Sequence, residues 1–267
     1  MSVEQLKITA RFPDLAGKVA IVTGASRGIG VGIAEFLGRQ GMKLTLAARS
    51  EDKGLAVTAH LQSLGYECQW VTADLSTFEG AQKVFDATIA RYGTAYLLVN
   101  NAAILWSRSV LDTDAKVYAE TFESNVRMVY GLSHLCARHM AERKTGCIVN
   151  LSSVGGLRAH WDHVGYDGSK GAIDAMTRSM AIDLGKFGIR VNAIAPGLTV
   201  ASPDNPRNVQ ATSDRSKYIP LLRAGTREES GAAIAFLASD AGEYITGQIL
   251  YIDGGLTSQL APPGTWI

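Results

Sequence analysis

The sequence has few cysteines, no long apolar run and no excess of charge of one sign. Its 267 residues include only Cys68, Cys136 and Cys147, which are too few and too widely spaced for a disulfide framework or a zinc site. We therefore predict no metal site and a reducing, cytoplasmic environment. Basic and acidic residues number 26 and 25, so no overall field attracts nucleic acid or an anionic membrane.

Membrane-spanning segments and internal boundaries are also missing from the sequence. No stretch reaches the roughly 18 consecutive apolar residues that a membrane helix needs. The first six residues lack the basic start and apolar run of a signal peptide. Because no composition shift, repeat or low-complexity tract divides the chain, we expect a soluble protein in which residues 1–267 form one domain.

Short aliphatic or β-branched runs alternate with longer stretches that have helical apolar spacing. This alternation predicts a parallel sheet covered by helices on both faces. We predict a doubly wound, Rossmann-like α/β fold with seven strands and six intervening helical segments. The predicted strands are residues 19–22, 44–46, 70–72, 96–99, 147–151, 189–194 and 249–252.

Glycine and proline punctuate this pattern. Gly41 and Gly65 are predicted to end the first two helices as C-terminal caps. Residues 196–220 break the alternation with several prolines and polar residues. We predict a long, flexible connection there, with room for a short helix, near the ligand end of the sheet.

A glycine-rich turn at residues 23–30 links the first predicted strand directly to a helix. Gly24, Gly28 and Gly30 permit a tight turn and a close backbone approach, and the helix N-terminus offers free N–H groups to a pyrophosphate. The G-x-x-x-G-x-G spacing differs from the commoner G-x-G-x-x-G pattern. A purely structural turn is the alternative, and the position after the first strand favours a dinucleotide site.

The end of the second predicted strand distinguishes NADP from NAD. An acidic side chain there binds the ribose 2′-hydroxyl of NAD, whereas an arginine accommodates the 2′-phosphate of NADP. Ala48 occupies the expected acidic position, Arg49 follows it, and Arg27 is a second candidate cation. We predict NADP(H) in preference to NAD(H). The alternative is that both arginines are solvated and neutralised by Glu51 and Asp52.

Two further strand ends carry candidate cofactor contacts. Asp74 and Leu75 close the third predicted strand, where a carboxylate can accept from the adenine amino group and a backbone N–H can donate. The alternative for Asp74 is to cap the next helix. Asn101 and Ala102 follow the fourth predicted strand, where small residues let the backbone approach the cofactor.

Tyr166 and Lys170 are four residues apart, so on a helix they share one face. The ammonium of Lys170 can then favour the phenolate form of Tyr166 and make it a usable proton carrier. A solvated helix face with no catalytic role has the same spacing. The motifs upstream decide between these interpretations.

Together, these motifs resemble the short-chain dehydrogenase/reductase family, in its branch similar to 3-oxoacyl-acyl carrier protein reductases. The T-G-x-x-x-G-x-G and Y-x-x-x-K motifs stand in the family's order, and the resemblance extends to residues 253–255. It implies an NAD(P)-dependent alcohol dehydrogenase or carbonyl reductase, a small carbonyl or alcohol substrate, and a homotetramer. The four-residue spacing disfavours reduction of a carbon–carbon double bond.

The resemblance also implies a role for each catalytic candidate. Tyr166 resembles the general acid/base, and Lys170 resembles the residue that lowers the tyrosine pKa and binds the nicotinamide ribose. Ser153, 13 residues before Tyr166, matches the serine that binds the substrate oxygen, with Ser152 as its neighbour. Asn125 resembles the asparagine that positions a water beside the lysine.

The candidate cofactor contacts extend from the glycine turn to the sixth predicted strand. They are Gly24, Ser26, Arg27, Gly28, Ile29, Gly30, Arg49, Asp74, Leu75, Asn101, Ala102, Tyr166, Lys170, Pro196, Gly197 and Thr199. By the resemblance, Thr199 bonds the nicotinamide carboxamide; a strand-ending turn is the alternative for Pro196 and Gly197. Two residues are unusual: Ala103 replaces the glycine of the family's Asn-Asn-Ala-Gly pattern, and Gly32 is an additional glycine in the first helix.

Substrate contacts are expected from residues 104–108, residues 155–163 and a loop at about 198–222. Trp106 and Trp161 offer flat apolar walls, while Arg108, Arg158, His160 and His163 offer positive or donor groups that suit a polar or anionic carbonyl compound. Residues 261–267, which end in Trp266 and Ile267, are predicted to dock on a neighbouring subunit. The remaining functional alternatives are an NAD-linked dehydrogenase of a sugar or hydroxy acid and a non-catalytic dinucleotide-binding protein.

Overall fold

The computed structural model describes residues 8–202, 205–262 and 264. Its centre is a seven-stranded parallel sheet in the order β3-β2-β1-β4-β5-β6-β9, which confirms the predicted α/β fold. The strands are β1 (Val19–Thr23), β2 (Lys43–Ala48), β3 (Cys68–Thr72), β4 (Leu97–Asn100), β5 (Gly146–Leu151), β6 (Ile189–Pro196), β7 (Thr199–Val200), β8 (Gly225–Thr226) and β9 (Ile249–Ile252). β7 and β8 pair separately as a small parallel sheet.

Helices fill the connections between the strands. They are α1 (Ile29–Arg39), α2 (Glu51–Ser63), α3 (Phe78–Tyr92), α4 (Ala115–Phe122), α5 (Met128–Arg143), α6 (Val164–Gly185), α7 (Pro206–Ser216) and α8 (Arg227–Ala238). A π-helical turn, Glu123–Arg127, joins α4 to α5. Two of the six predicted helical segments therefore contain more than one helix: α4 and α5 lie between β4 and β5, and α7 and α8 lie between β6 and β9.

The two faces of the sheet bury separate clusters of apolar side chains. In β1, Ala20 and Val22 pack with side chains of α1 and α8, whereas Ile21 packs on the opposite face with side chains of α3, α5 and α6. All five residues of β1 are buried, as the continuous apolar run predicts for a strand covered on both faces. Each large aliphatic side chain buried in this way contributes about 1.5–3 kcal/mol.

Local signals in the sequence account for several helix ends. Gly41 and Gly65 follow α1 and α2 with φ angles of 79° and 83°, in agreement with the predicted caps. In the connection after β6, the Asn205 side chain accepts from the backbone N–H of Arg207, and Pro206 is the first residue of α7. The predicted irregular connection is therefore helical over eleven residues.

None of the helices in the described part of the chain combines the length and apolarity needed to cross a membrane. Trp266 and Ile267, the predicted docking residues of the C-terminal segment, lie outside the described residues.

Candidate active site

A cleft of about 800 Å³ opens at the carboxyl ends of the central strands, where the strand order reverses between β1 and β4. Most of the predicted site residues line it. These are Gly24, Ser26, Arg27, Gly28, Ile29, Gly30, Arg49, Asp74, Leu75, Asn101, Ala102, Ser153, Tyr166, Lys170, Pro196 and Gly197. Asn125 and Thr199 are not part of this wall.

The glycine turn packs so tightly on the end of β4 that side chains are excluded from it. A Cβ atom on Gly24 would lie 2.8 Å from the Cα of Ala102, and one on Gly30 would lie 2.4 Å from the carbonyl oxygen of Gly24. The Asn101 amide donates to the carbonyl oxygen of Thr23 at 2.7 Å. These contacts bring the turn and the end of β4 together at the floor of the cleft.

The N-terminus of α1 faces the cleft and begins at Gly28, which has a φ angle of 64°. Within the described part of the chain, no side chain caps this helix. Its first N–H groups and the positive end of its dipole are therefore available to an anion. A Cβ atom added to Gly28 would lie 3.8 Å from the Cβ of Ala201, an ordinary contact distance, so the positive φ angle is what favours glycine here.

Arg27 and Arg49 lie exposed at the mouth of the cleft. Neither forms an ion pair with an acidic side chain among the described residues. Glu51 and Asp52 instead occupy the first turn of α2, where the helix dipole favours negative charge. Direct neutralisation of the arginines by these carboxylates is therefore not seen in the described residues, but both arginines are exposed to solvent, as the predicted alternative also has them.

Asp74 lies beside this cationic rim and does not cap α3. Its Oδ1 accepts from the hydroxyl and the backbone N–H of Ser76 at 2.8 and 3.0 Å. The Ser76 hydroxyl is the main cause of a lowered Asp74 pKa, to which the nearby Arg49 charge also contributes, against the effect of burial. Thr77 caps α3 by accepting from Gly80, so the capping alternative for Asp74 is wrong.

Ser153 and Tyr166 converge from opposite sides of the connection between β5 and α6. Ser153 follows β5, and its Oγ accepts from the backbone N–H of Gly155 at 3.1 Å. Burial raises the Tyr166 pKa above its ordinary value, and the nearby Ser153 hydroxyl acts in the opposite direction. The two hydroxyl groups are therefore within reach of one another in the cleft.

Lys170 lies one turn after Tyr166, with its side chain buried. Its Nζ donates to the carbonyl oxygen of Leu151 at 2.6 Å and lies 5.5 Å from the Tyr166 ring centroid. Burial lowers the Lys170 pKa to about 8, and the charge of Asp174 opposes this shift. The predicted lowering of the Tyr166 pKa by Lys170 is not found, because burial and the charge of Asp167 raise this pKa and only the Ser153 hydroxyl lowers it.

Asn125 occupies the π-helical turn and is fully buried. Its Oδ1 accepts from the N–H of Ile104 at 2.8 Å, and its Nδ2 donates to the Ile104 carbonyl and to Ser169 Oγ, both at 3.0 Å. The side chain thus ties the segment after β4 to α6. Thr199 lies in β7, where its hydroxyl donates to the carbonyl oxygen of Gly197 at 3.1 Å.

Several lining residues were not predicted. Ser124 and Met128 reach the cleft from the π-helical turn and the start of α5, whereas Ala201 and Ser202, which follow β7, belong to the loop predicted at about 198–222. No sequence pattern marks a π-helical turn, because it depends on contacts with distant segments. Asp174, which lies behind Lys170, could have been found from its spacing of four residues on the same helix.

The predicted substrate segments lie beside the cleft. Ile104 and Leu105 line it, and Arg108 pairs with His163 through an isolated parallel β-bridge. Trp106 and Trp161 are 43% and 93% exposed, so they leave broad apolar surface on these segments.

Together, the fold and the cleft define a class: doubly wound α/β proteins with a ligand cleft at the point where the strand order reverses. Comparison with known proteins narrows this class. A family model described as enoyl-(acyl carrier protein) reductase matches residues 24–257. The chain belongs to the short-chain dehydrogenase/reductase family, whose members are oxidoreductases that bind a nicotinamide dinucleotide.

Several relatives match almost over their full length. The chain is 33% identical to a 3-oxoacyl-(acyl carrier protein) reductase of Chlamydia muridarum over 91% of this chain and 98% of the relative. It is 34% identical to the L-rhamnose 1-dehydrogenase (NAD(P)(+)) of Azotobacter vinelandii, over 91% and 97%. A crystal structure of a proposed short-chain alcohol dehydrogenase from Sinorhizobium meliloti superposes with a TM-score of 0.87 at 31% identity, covering 93% of this chain and 100% of that one.

Proposed function

We propose that the chain is an NADP(H)-dependent alcohol dehydrogenase or carbonyl reductase that transfers a hydride between the cofactor and a small carbonyl or secondary alcohol. The observation that carries the proposal is that Ser153, Tyr166 and Lys170 line the same cleft as the glycine turn and the uncapped start of α1. A protein that only bound a dinucleotide would not need a phenol, a hydroxyl and a buried amine beside it.

The residues of the cleft fit a dinucleotide. Gly24 and Gly30 let the turn pack closely against Asn101 and Ala102, and the start of α1 after Gly28 has no side-chain cap, so its N–H groups would bind a pyrophosphate. Asp74 and Leu75 would bind the adenine, while Lys170 would bind the nicotinamide ribose. When bound, a nicotinamide dinucleotide supplies or accepts the hydride.

NADP(H) is favoured by the charge at the mouth of the cleft. Arg27 and Arg49 are exposed there without ion-pair partners among the described acidic side chains, and Ala48 offers no carboxylate for a ribose 2′-hydroxyl. Two free guanidinium groups suit a 2′-phosphate, which they can bind with charge-assisted hydrogen bonds.

Tyr166 would handle the proton of the reaction. Its buried phenol keeps its proton at neutral pH, so it can donate to the oxygen that gains negative charge as a carbonyl is reduced. The Ser153 hydroxyl would donate a second hydrogen bond to that oxygen. Lys170, with a pKa of about 8, is charged near neutrality and would place a positive charge beside the nicotinamide ribose.

Asn125 and Thr199 would contribute from outside the wall of the cleft. Asn125 holds the segment that begins at Ile104 against α6, and we propose that its turn positions a water beside Lys170. Thr199 would reach the nicotinamide carboxamide from β7 after giving up its bond to Gly197.

We propose further that the enzyme is a cytoplasmic homotetramer. All three cysteines are free and buried, as suits a reducing compartment. The exposed large apolar side chains include Tyr130 on α5 and Ile182 on α6, which are 50% and 82% exposed and would be covered by subunit contacts.

A second candidate is an NAD-linked sugar dehydrogenase. It is supported by the relatives, which include the L-rhamnose 1-dehydrogenase (NAD(P)(+)) and a glucose 1-dehydrogenase of Bacillus subtilis that is 34% identical over 92% of this chain. Arg49 at the cofactor rim weighs against NAD, but no residue of the cleft weighs against a sugar.

The experiment that tests the proposal follows the absorbance of NADPH and NADH with ketones, 3-oxoacyl thioesters, keto acids and sugars, and of NADP and NAD with the corresponding alcohols. We expect turnover with at least one carbonyl–alcohol pair and a kcat/KM at least about tenfold higher for NADP(H). Absence of turnover with every pair would contradict the proposal. A 2-enoyl thioester belongs in the panel, because its reduction without carbonyl turnover would instead assign carbon–carbon double-bond chemistry.

A further inference from the structure

The loop between β5 and α6 is tied to the first turn of α6 by a single carboxylate. Asp167 Oδ2 accepts from the backbone N–H of His160 at 2.7 Å, and Oδ1 lies 2.8 Å from His160 Nδ1. Because an ionised carboxylate only accepts hydrogen bonds, Nδ1 carries the proton of this contact. The Asp167 side chain is 13% exposed, so the pair is shielded from solvent on the Asp167 side.

This pair lies directly on the backbone that positions Ser153. A Cβ atom on Gly155 would lie 2.1 Å from Asp167 Oδ1 and 2.9 Å from His160 Nδ1, so the carboxylate rests on the bare Cα of Gly155. The N–H of the same glycine donates to Ser153 Oγ at 3.1 Å. A displacement of the His160–Asp167 pair would therefore move Gly155, and with it the N–H group that donates to Ser153 Oγ.

The His160–Asp167 pair is also close to Tyr166. Asp167 follows Tyr166 in the chain, and the ring of His163 lies 5.4 Å from the His160 ring and 6.2 Å from the Tyr166 ring. Asp162 makes the turn between the two histidines with a φ angle of 58°, which aspartate tolerates better than most residues. The loop, the pair and the phenol are thus packed as one unit.

Neither His160 nor Asp167 lines the cleft. The pair instead joins the two segments that carry the hydroxyl groups expected to bind the substrate oxygen. Those segments approach from a strand end and from a helix, and α6 also packs on this loop through Asp174, whose Oδ2 would lie 2.6 Å from a Cβ atom on Gly156. Misplacement of reacting groups by about 1 Å can lower a rate about 100-fold.

We propose that His160 and Asp167 are positioning residues that hold Ser153 and Tyr166 at the separation required by a shared substrate oxygen. This proposal rests on the proposed function, because it assigns a purpose to the pair only if the two hydroxyl groups act together. The pair acts through Gly155 and through the first turn of α6.

The first test compares turnover of His160→Leu and His160→Asn with the unmodified protein. Leucine removes the ring donor, whereas the Asn Nδ2 stands close to the position of the imidazole Nδ1 and can donate to the same carboxylate oxygen. We expect kcat to fall about tenfold or more in His160→Leu, with the dissociation constant of NADPH within about twofold, and to recover to within about threefold in His160→Asn. Lys43→Met is the matched control, because it removes the exposed Lys43–Glu67 ion pair at the start of β2.

The second test is amide hydrogen exchange of residues 157–163, which needs no turnover. In Asp167→Ala we expect faster exchange at His160, whose N–H loses its acceptor, and unchanged exchange in the strands. Equal exchange in Asp167→Ala and the unmodified protein would contradict the hydrogen bond from the His160 N–H to the Asp167 carboxylate. Wild-type kcat and KM in His160→Leu, or no recovery in His160→Asn, would overturn the positioning role. An unmodified protein without turnover on the whole substrate panel would contradict the proposed function instead.

Discussion

Lys170 is a single residue whose charge is held where solvent cannot stabilise it. Burial lowers its pKa from 10.5 to about 8, although Asp174 lies nearby with the opposite charge. Its Nζ donates to the Leu151 carbonyl, which fixes the amine close to Tyr166. The protein therefore keeps a buried cation in the cleft at a cost in stability, as expected for a group retained for chemistry rather than for folding.

This cost predicts a pH dependence of stability. Between pH 8 and 10.5 the unfolded state binds more protons at Lys170 than the folded state, so the free energy of unfolding should rise with pH in that interval. Relative to Lys170→Met, which has no charge to bury, the unmodified protein should gain roughly 1–2 kcal/mol from pH 8 to 9.5. Urea unfolding of both proteins at the two pH values measures this difference, and an equal gap at both would contradict the assigned shift.

Arg49 is the residue on which the cofactor preference depends most directly. Arg49→Asp removes the cation facing the expected 2′-phosphate and supplies the carboxylate that NAD-binding sites use. We expect the ratio of kcat/KM for NADPH to that for NADH to fall at least about tenfold. The matched control is Arg91→Asp, which makes the same charge change at the far end of α3, and it should leave the ratio unchanged. An unaltered ratio in Arg49→Asp would reject the assignment of Arg49.

At the scale of secondary-structure elements, the close contact of α1 with α8 explains the additional glycine in α1. A Cβ atom on Gly32 would lie 2.3 Å from Arg227 Cγ and 2.8 Å from the Arg227 backbone carbon. The same pattern recurs across the interface, where a Cβ on Gly231 would lie 2.6 Å from Phe36 Cβ. The two helices therefore meet at glycines on both sides.

Gly32→Ala should consequently destabilise the protein even though alanine is the better helix former. Overpacking costs about 1–3 kcal/mol, against a gain of about 1 kcal/mol in helix propensity. Gly185→Ala is the control, because Gly185 ends α6 with no atom within 4 Å of an added Cβ, and it should be neutral or stabilising. Urea unfolding compares the two variants, and a more stable Gly32→Ala would show that the helices can separate without cost.

The elements that could be predicted from sequence are those whose signals are local. The strands β1, β2, β4, β5 and β6 are buried almost throughout and read as continuous apolar runs, whereas the partly exposed β3 and β9 could be found only from short β-branched or aliphatic runs. The π-helical turn could not, because Asn125 stabilises it through Ile104 and Ser169, which are 21 and 44 residues away. The capping alternative for Asp74 is wrong for a local reason. Thr77 stands immediately before α3, and its side chain accepts the hydrogen bond from the Gly80 N–H that caps this helix.

Among the catalytic candidates, too, local sequence signals could be predicted and features that depend on tertiary contacts could not. Tyr166, Lys170 and Ser153 stand in spaced motifs, and the structure brings them to one cleft. The direction of the Tyr166 pKa could not be predicted, since it depends on how deeply the phenol is buried. The contact between His160 and Asp167 likewise requires the loop conformation, which no periodic pattern encodes.

At the scale of the whole molecule, several large apolar side chains on the outer helices are exposed to solvent. Tyr118, Tyr130 and Ile182 on α4, α5 and α6 are 49%, 50% and 82% exposed. We predict that these faces are covered in a homotetramer, whose mass would be four times 28.5 kDa, or about 114 kDa. Sedimentation equilibrium measures this mass directly, and a single species of 28.5 kDa would contradict the assembly.

The central claim is that Tyr166 carries the proton of a hydride-transfer reaction in this cleft. Tyr166→Phe removes the phenolic hydroxyl and keeps the ring, so the packing against His163 and the cofactor contacts should be retained. The decisive measurement is kcat of Tyr166→Phe on the best carbonyl substrate of the panel, together with the dissociation constant of NADPH. The account predicts a loss of kcat of at least about 100-fold with a dissociation constant within about twofold. Turnover within about threefold of the unmodified protein would contradict it.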